Sequence, residues 1–433
     1  MIKKSVGLYT LGCKVSQYET EAISERFEAM GYEIRNFSSA NDVYVINTCT
    51  VTAEADRKSR QMIRRARKQN PDGIVIVCGC YSQRSPDEVA AIEGVDAVIG
   101  SAAKLTIVDI AESLFKNREK TVKVTDIDKE PFEKMAITKG PRTRVYVKIE
   151  DGCECKCTYC AIPSARGAVR SKAKEDVIAE VEALAASGVR EVVLTGIETG
   201  SYGKDFDEKY TLADLIVELD KRGSCERIRL GSLAPELVGE EFVSKVAGAK
   251  ILAPHFHISM QSGSSAVLRA MKRRYSREML LENVERIRRY IPRATFTTDI
   301  MVGFPGESEE DFLESVSAVR EIGLLDAHVF AYSKRKNTPA ALYPNQIPED
   351  IKRDRSERLI AVAREVRESV IDRMVSLGEP MPVIFEEKIG AFWRGHSDTF
   401  ATVDVECDGE LHGEARMVIP VSRKNDIIIG KII

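Results

Sequence analysis

From Ser5 to about Phe115 the chain alternates short apolar runs, SVGLYTLG, DVYVINTC, GIVIVCGC and AVIG, with stretches whose apolar positions recur at helical spacing. Continuous apolar runs bounded by helical segments are the pattern of parallel strands covered on both faces. This part of the chain therefore predicts one α/β domain. A second alternation starts at RVYVKIEDG and repeats as EVVLTGI, RIRLGSL, HFHISM, ATFTTDIMVGF and DAHVFAYS, most of them followed by a helical segment such as KEDVIAEVEALAASG. Six such units fall short of the eight of a closed α/β barrel and predict an incomplete one. A charged stretch from about Pro348 to Leu377 predicts a long helix. After Gly378 the short runs MPVIFEEKI, TFATVDVEC and ARMVIPVS, separated by turn residues, predict a small β-barrel. The expected organisation is an α/β domain over residues 1–118, a charged linker over 119–143 containing Pro131 and Pro141, a partial (β/α)6 barrel over 144–377 and a β-barrel module over 378–433.

Composition narrows the function classes. At 433 residues, 43% apolar and 30% charged, the chain has material for several packed cores. A net charge of -3 excludes a protein that coats nucleic acid indiscriminately, so an RNA partner has to be met by a local patch. No apolar run approaches bilayer length and MIKKSVGLYTLGC lacks the pattern of a secretory leader, which predicts a cytoplasmic protein without membrane contact. In a reducing compartment its ten cysteines are expected as thiols or metal ligands and not as disulfides.

Two cysteine sets change the picture most. Cys153, Cys157 and Cys160 stand at the spacing C-x3-C-x2-C directly after the first barrel strand. A cubic iron-sulfur cluster held by three thiolates leaves one iron open, and an open iron can bind and activate a substrate. Chemistry in such folds sits at the carboxyl ends of the strands, which places this loop at the barrel mouth. Cys155 extends the run to C-x-C-x-C-x2-C, so a zinc loop stays open as an alternative. Cys13, Cys49 and Cys80 are far apart in sequence, yet each ends a predicted strand of the first domain. Parallel strands bring their carboxyl ends to one sheet edge, which predicts a second cluster there. Cys78 closes the apolar run GIVIV before Gly79 turns the chain and is expected in the core.

The segments TLGCKVSQYETE, NTCTVTAEADRKSRQ, VCGCYSQ, GCECKCTYCAIPSARG, HISMQSGS and TDIMVGFPGE together resemble the radical S-adenosylmethionine methylthiotransferases, and the resemblance covers essentially the whole chain. It implies the same domain order, ending in a TRAM-like module. It also implies that Cys153, Cys157 and Cys160 hold a 4Fe-4S cluster that cleaves S-adenosylmethionine, and that Cys13, Cys49 and Cys80 hold an auxiliary 4Fe-4S cluster across a domain boundary. These six residues would carry catalysis, one S-adenosylmethionine methylating sulfur and a second supplying the radical that removes the hydrogen of an adenine carbon 2. Lys14, Val15, Gln17, Tyr18 and Glu19 look like the branch acting on N6-threonylcarbamoyladenosine at position 37 of tRNA. The isopentenyladenosine branch usually shows Gln-Met after the first cysteine and the ribosomal-protein branch Pro-Lys, and neither pair is present. Ser16, Cys155, Glu198 and Asn337 depart from the branch pattern, where Asn, Asn, His and Gly are usual. None is a cluster ligand, and Glu198 and Asn337 leave details of the substrate pocket open.

The implied cofactor needs contacts at the strand ends. Thr195, Gly196, Ser232, Gln261, Ser262, Gly263, Gly303, Phe304, Pro305 and Gly306 are the expected S-adenosylmethionine contacts, the glycines because they let the backbone approach a nucleoside closely. RNA, as the anticodon stem-loop of tRNA, is expected against the basic helix after Cys49, through Arg57, Lys58, Arg60, Arg64, Arg65 and Lys68. An electron donor such as a flavodoxin or ferredoxin is implied as well. The competing readings are a methylthiotransferase for another substrate and a zinc-bearing, non-enzymatic RNA-binding protein.

Overall fold

The computed structural model describes residues 3–140 and 143–433; Pro141, expected to interrupt the linker, lies outside the described residues. The chain divides into two compact units. One gathers Met1–Ile137, Tyr146–Lys172 and Ser333–Ala341, the other Thr138–Val145, Ala173–Tyr332 and Leu342–Ile433.

In the first unit the described residues form a sheet of β1 (Ser5–Thr10), β2 (Glu33–Arg35), β3 (Val43–Thr48), β4 (Ile74–Gly79), β5 (Ala97–Ile99) and β6 (Thr121–Lys123) in the order β2-β1-β3-β4-β5-β6, all pairs parallel. Alternation along β3 and β4 sends side chains to two separate cores. Val43, Val45, Ile74 and Ile76 face one core with Ile23 and Phe27 of helix α1 (Lys14–Ala29). Tyr44, Ile46, Val75 and Val77 face the other, with Met62, Ile63 and Ala66 of helix α2 (Ala53–Gln69). The two helices thus cover opposite faces, which explains why these strands read as unbroken apolar runs. Strand β6 falls at the start of the segment expected as linker, and its pairing with β5 adds it to the sheet edge. Helix α2 begins where Thr52 accepts the Ala55 amide, with Glu54 and Asp56 in its first turn and Arg67 and Lys68 in its last, charges that suit the helix dipole.

Gly79 decides how β4 ends. Its φ of 94° and ψ of -159° lie in a region open essentially to glycine. A Cβ there would stand 2.5 Å from Asn47 Oδ1 and 2.6 Å from Thr48 O. Cys78 before it is fully buried in the α1-side core, and Cys80 after it opens helix α3 (Cys80–Arg84). Gly79→Ala is expected to cost about 1–3 kcal/mol in backbone strain alone. Lowered thermal unfolding and reduced iron incorporation together, measured on anaerobically loaded protein, are the expected result; unchanged values would remove this role from the glycine.

Strand β7 (Arg144–Lys148) passes from the second unit into the first, where β8 (Glu150–Asp151) pairs antiparallel with β9 (Arg170–Ser171). The second unit continues with β10 (Glu191–Thr195), β11 (Arg227–Leu230), β12 (Ser232–Leu233), β13 (His255–Gln261), β14 (Thr295–Val302) and β15 (Asp326–Ala331). The run RIRLGSL, expected as one strand, is two. Gly231 breaks it, its amide donating to Leu194 O at 2.8 Å. Strand β11 stays with β10 while β12 pairs with β13, giving sheets β11-β10-β7 and β12-β13-β14-β15. Glycine is the residue expected where a curving sheet bends sharply. The helix Glu349–Leu377 follows, then β16 (Met381–Ile389), β17 (Phe392–Ser397), β18 (Thr402–Glu406), β19 (Ala415–Lys424) and β20 (Ile427–Ile432), closed into a barrel in the order β16-β17-β18-β20-β19. Val383, Phe385, Trp393, Val403, Val405 and Val418 fill it, with Ile371 of the long helix packed against them.

A buried carboxylate organises the base of the second unit. Glu191 on β10 pairs with Arg144, with Arg227 at 3.2 Å and with Arg229 at 2.8 Å. Arg229 also donates to the carbonyls of Ser397 and Asp398 at 3.2 and 3.1 Å and lies 4.9 Å over the ring of Phe400. The same groups that neutralise the carboxylate therefore bond the turn between β17 and β18.

Candidate functional site

Strands β1, β3 and β4 are neighbours in a parallel sheet, so the residues after them share one edge. Cys13, Cys49 and Cys80 stand there. A Cβ built on Gly12 would lie 3.3 Å from Cys49 Sγ, which puts the Cys13 turn against Cys49. Cys13 is exposed, Cys49 half-buried and Cys80 buried. Burial pushes the Cys49 thiol up to about 12, and the neighbouring Cys80 and Cys13 add to that shift. Thiols this close to one another resist ionisation together, and a cationic partner such as a metal removes the conflict. Ser16, which departs from the family pattern, sits with its hydroxyl 3.8 Å from Cys13 Sγ.

The second set lies on the loop between β8 and the helix Ile162–Arg166, inside the first unit. The Cys153 amide donates to Gly167 O at 2.9 Å and the Cys160 amide to Cys157 O at 3.1 Å, which folds the loop on itself. Amides also aim at sulfur: Cys155 N lies 3.4 Å from Cys153 Sγ and Ile162 N 3.4 Å from Cys160 Sγ. Such donors favour the thiolate and a metal-bound sulfur. Both cysteine sets fall in one compact unit, where sequence reasoning expected a domain boundary between them.

The reason is a buried ionic network with no counterpart in the sequence reading. Glu19, on the buried face of α1, is 2.7 Å from Lys104, 3.1 Å from Lys148 and 2.5 Å from Arg166. Arg166 and Lys148 reach Asp151 at 3.1 and 3.3 Å. Against burial, which would push it up, Arg166, Lys104 and Lys148 hold the Glu19 carboxyl well below its ordinary value. This ties the segment Tyr146–Lys172 to the first unit. The signal available beforehand was a glutamate at a core-facing helical position, among Val15, Tyr18, Ala22 and Ile23.

A returning strap, Ser333–Ala341, meets both cysteine loops. Arg335 donates to Thr50 Oγ1 at 2.8 Å and Asp56 at 2.7 Å beside Cys49, while the Ala340 amide donates to Thr158 O at 2.9 Å between Cys157 and Cys160. Asn337 within it has φ of 65°. Asparagine is the best substitute for glycine at such a position, which accounts for this departure.

In the second unit, Thr195, Gly196, Ser232, Gln261, Ser262, Gly263 and Gly303–Gly306 stand at or just beyond the carboxyl ends of β10, β13 and β14, with Ser232 in β12. Two of the glycines have protein against them. A Cβ on Gly263 would lie 2.6 Å from the Ser315 Cα, and one on Gly303 2.1 Å from Lys352 Cγ. Their small size lets the backbone pack closely onto neighbouring helices. Phe304 is buried against Tyr332 and Tyr343, so it braces the turn. Pro305 lies in that turn and Gly306 donates to Asn345 O at 2.9 Å. Glu198 accepts the Ala234 amide at 3.2 Å.

The basic helix α2 is divided in use. Arg57 pairs with Glu54, Arg60 donates to Tyr81 Oη at 3.0 Å, and Arg65 to Ser38 Oγ at 2.7 Å. Arg57, Lys58, Arg64, Arg65 and Lys68 are exposed. In the terminal barrel, Arg394 is held by Asp404 at 2.8 Å and Arg423 by Asp372 at 2.5 Å. No helix among the described residues is long and apolar enough to cross a membrane.

Comparison with known proteins places this arrangement. Residues 147–319 match the Radical SAM superfamily and residues 5–100 match Uncharacterized protein family UPF0004. The threonylcarbamoyladenosine tRNA methylthiotransferase MtaB of Bacillus subtilis is 43% identical over 84% of this chain and 81% of its own length. The tRNA-2-methylthio-N(6)-dimethylallyladenosine synthase of Carboxydothermus hydrogenoformans is 35% identical over 83% of both. Among solved structures, the radical S-adenosylmethionine methyltransferase TsrM from Kitasatospora setae, with cobalamin and a [4Fe-4S] cluster bound, shares the fold with a TM-score of 0.57 at 16% identity, covering 79% of this chain and 77% of that one. With four MtaB relatives at 32–43% identity and a radical SAM match across the barrel, the chain belongs to the radical S-adenosylmethionine tRNA methylthiotransferases, enzymes that transfer a methylthio group using S-adenosylmethionine and 4Fe-4S clusters.

Proposed function

We propose that this enzyme methylthiolates carbon 2 of N6-threonylcarbamoyladenosine at position 37 of tRNA, with Cys153, Cys157 and Cys160 holding one 4Fe-4S cluster and Cys13, Cys49 and Cys80 the other. The observation that carries the reading is the meeting of three sequence-distant cysteines at the carboxyl edge of one sheet, in the same compact unit as the three-cysteine loop. The donor sets fit: each offers three thiols, amides point at Cys153 and Cys160, and Arg166 Nε donates to Cys80 Sγ at 3.2 Å. Each thiolate of a cubane binds its own iron, whereas zinc ligands converge on one ion. When bound, the clusters supply one-electron cleavage of S-adenosylmethionine and an iron that carries sulfur.

The chain's own residues do the rest. Thr195, Gly196, Ser232, Gln261, Ser262, Gly263 and the turn Gly303–Gly306 contact S-adenosylmethionine through backbone and hydroxyl groups. Lys58, Arg64 and Lys68, with Arg57 and Arg65 beside them and Arg60 steadying Tyr81, contact phosphates of the anticodon stem-loop. Arg394 and Arg423 are taken by carboxylates, so the terminal barrel contributes shape more than charge. A flavodoxin or ferredoxin delivers electrons, in the cytoplasm.

The substrate assignment rests on the relatives: the matches named for threonylcarbamoyladenosine reach 43% identity and those named for dimethylallyladenosine 35%. The second substrate is the alternative this leaves. Nucleoside analysis of tRNA from a deletion strain separates them. The expected result is loss of the methylthio group from threonylcarbamoyladenosine alone; its loss from isopentenyladenosine would transfer the assignment.

A further inference from the structure

We propose that Arg166 is a positioning residue that grips the sulfur of Cys80 and thereby sets the reduction potential of the cluster carried by Cys13, Cys49 and Cys80. This rests on those three cysteines being cluster ligands.

Arg166 is fully buried at the end of the helix Ile162–Arg166. Its Nε donates to Cys80 Sγ at 3.2 Å. The rest of the guanidinium is occupied: one terminal nitrogen lies 2.5 Å from Glu19 Oε1 and 3.1 Å from Asp151 Oδ2, the other 3.2 Å from Glu19 Oε2. A planar fork held at both ends cannot swing its Nε off the sulfur.

Charge makes the contact more than packing. Arg166, Lys104 and Lys148 meet two carboxylates, Glu19 and Asp151, all five side chains being buried. Glu133 also acts on Lys148, and Arg170 lies 3.9 Å from Asp151, so the cations and carboxylates around Arg166 share their charge over the whole network. Glu133, half-buried, also accepts the Leu105 amide at 2.8 Å. Within that network the sulfur of Cys80 is the group that the Arg166 Nε meets. The network thus ends on a sulfur that the proposed function makes a cluster ligand.

The same helix reaches the other set from its opposite end, where the Ile162 amide donates to Cys160 Sγ at 3.4 Å. A single helical turn therefore spans from a sulfur of one set to a sulfur of the other and holds their separation. Donors and positive charge at ligand sulfurs stabilise the reduced, more negative form of a cluster and raise its potential.

The experiment uses full-length protein with Cys153, Cys157 and Cys160 all changed to alanine, loaded anaerobically, so that only the auxiliary cluster is read. Absence of iron in this parent would sink the proposed function itself and leave the tuning claim without an object. With iron present, Arg166→Gln is expected to move the midpoint in a redox titration followed by electron paramagnetic resonance to more negative potential. Arg166→Lys, which keeps the charge and loses the fork, should fall between the two. An unchanged midpoint in Arg166→Gln overturns the proposal. Should a variant fail to load iron, thermal unfolding of the metal-free form decides: unfolding like the parent supports a role at the sulfur, and unfolding lowered with loading lost identifies an ordinary ion pair.

Discussion

Cys157→Ala is expected to abolish cleavage of S-adenosylmethionine and to remove about four irons per chain, whereas Cys49→Ala removes a similar number and leaves cleavage running without methylthio transfer. The asymmetry follows from what each cysteine set is built on. Cys157 lies on a loop folded by the amides of Cys153, Cys155, Cys160 and Ile162. Cys49 follows β3, and its surroundings come from the sheet edge, from Thr50 and Arg335, and from the neighbouring Cys13 and Cys80. Each set therefore has a backbone frame of its own, the loop for one and the sheet edge for the other. Iron and sulfide assays on anaerobically purified variants, with chromatography of 5′-deoxyadenosine and of modified nucleosides, read both outcomes. Equal loss of cleavage in the two variants would contradict separate roles, and zinc without iron in the parent would end the iron reading altogether.

Glu191→Gln is expected to lower the stability of the second unit by about 3–5 kcal/mol at neutral pH, the cost of leaving buried cations without their counter-charge. Three arginines share this carboxylate, and Arg229 carries the load onward to the carbonyls of Ser397 and Asp398. The pH dependence has a definite sign. Against burial, Arg229 and Arg144, helped by Arg227, hold the Glu191 carboxyl well below its ordinary value. A group depressed in the folded state contributes stability that is present above its unfolded value, about 4.3, and lost as pH falls below it towards the folded one. The gap between parent and variant in denaturant midpoint should be full at pH 7 and narrow progressively below about pH 4. A gap that stays constant down to pH 3 would show that the carboxylate charge contributes nothing.

Much of the architecture was legible because local patterns suffice for it. The apolar runs ending in Cys49 and Cys80 are strands buried on both faces, and the stretch Ala53–Gln69 carries its own cap and dipole charges. The run RIRLGSL failed as one strand because pairing partners, unlike periodicity, are long-range: Gly231 lets the chain leave β10 for β13. The start of the linker failed likewise, since Thr121–Lys123 is a strand only by lying beside β5. The helices that press on Gly263 and Gly303 had no local signal either.

What the amino-acid order determined by itself is the chemistry on offer: the C-x3-C-x2-C loop, three more cysteines each following a strand, and the alternation that makes those strands parallel. Spacing along a loop and the period of two are local properties, and no distant contact is needed to see them. Tertiary structure alone decided which charges keep the cysteines company. Glu19, Lys104, Lys148, Asp151 and Arg166 are scattered over four segments, and although Glu19 stands at a core-facing helical position, nothing local shows which charges will join it. Only their mutual neutralisation makes that burial tolerable, and such a balance exists only once the chain has folded.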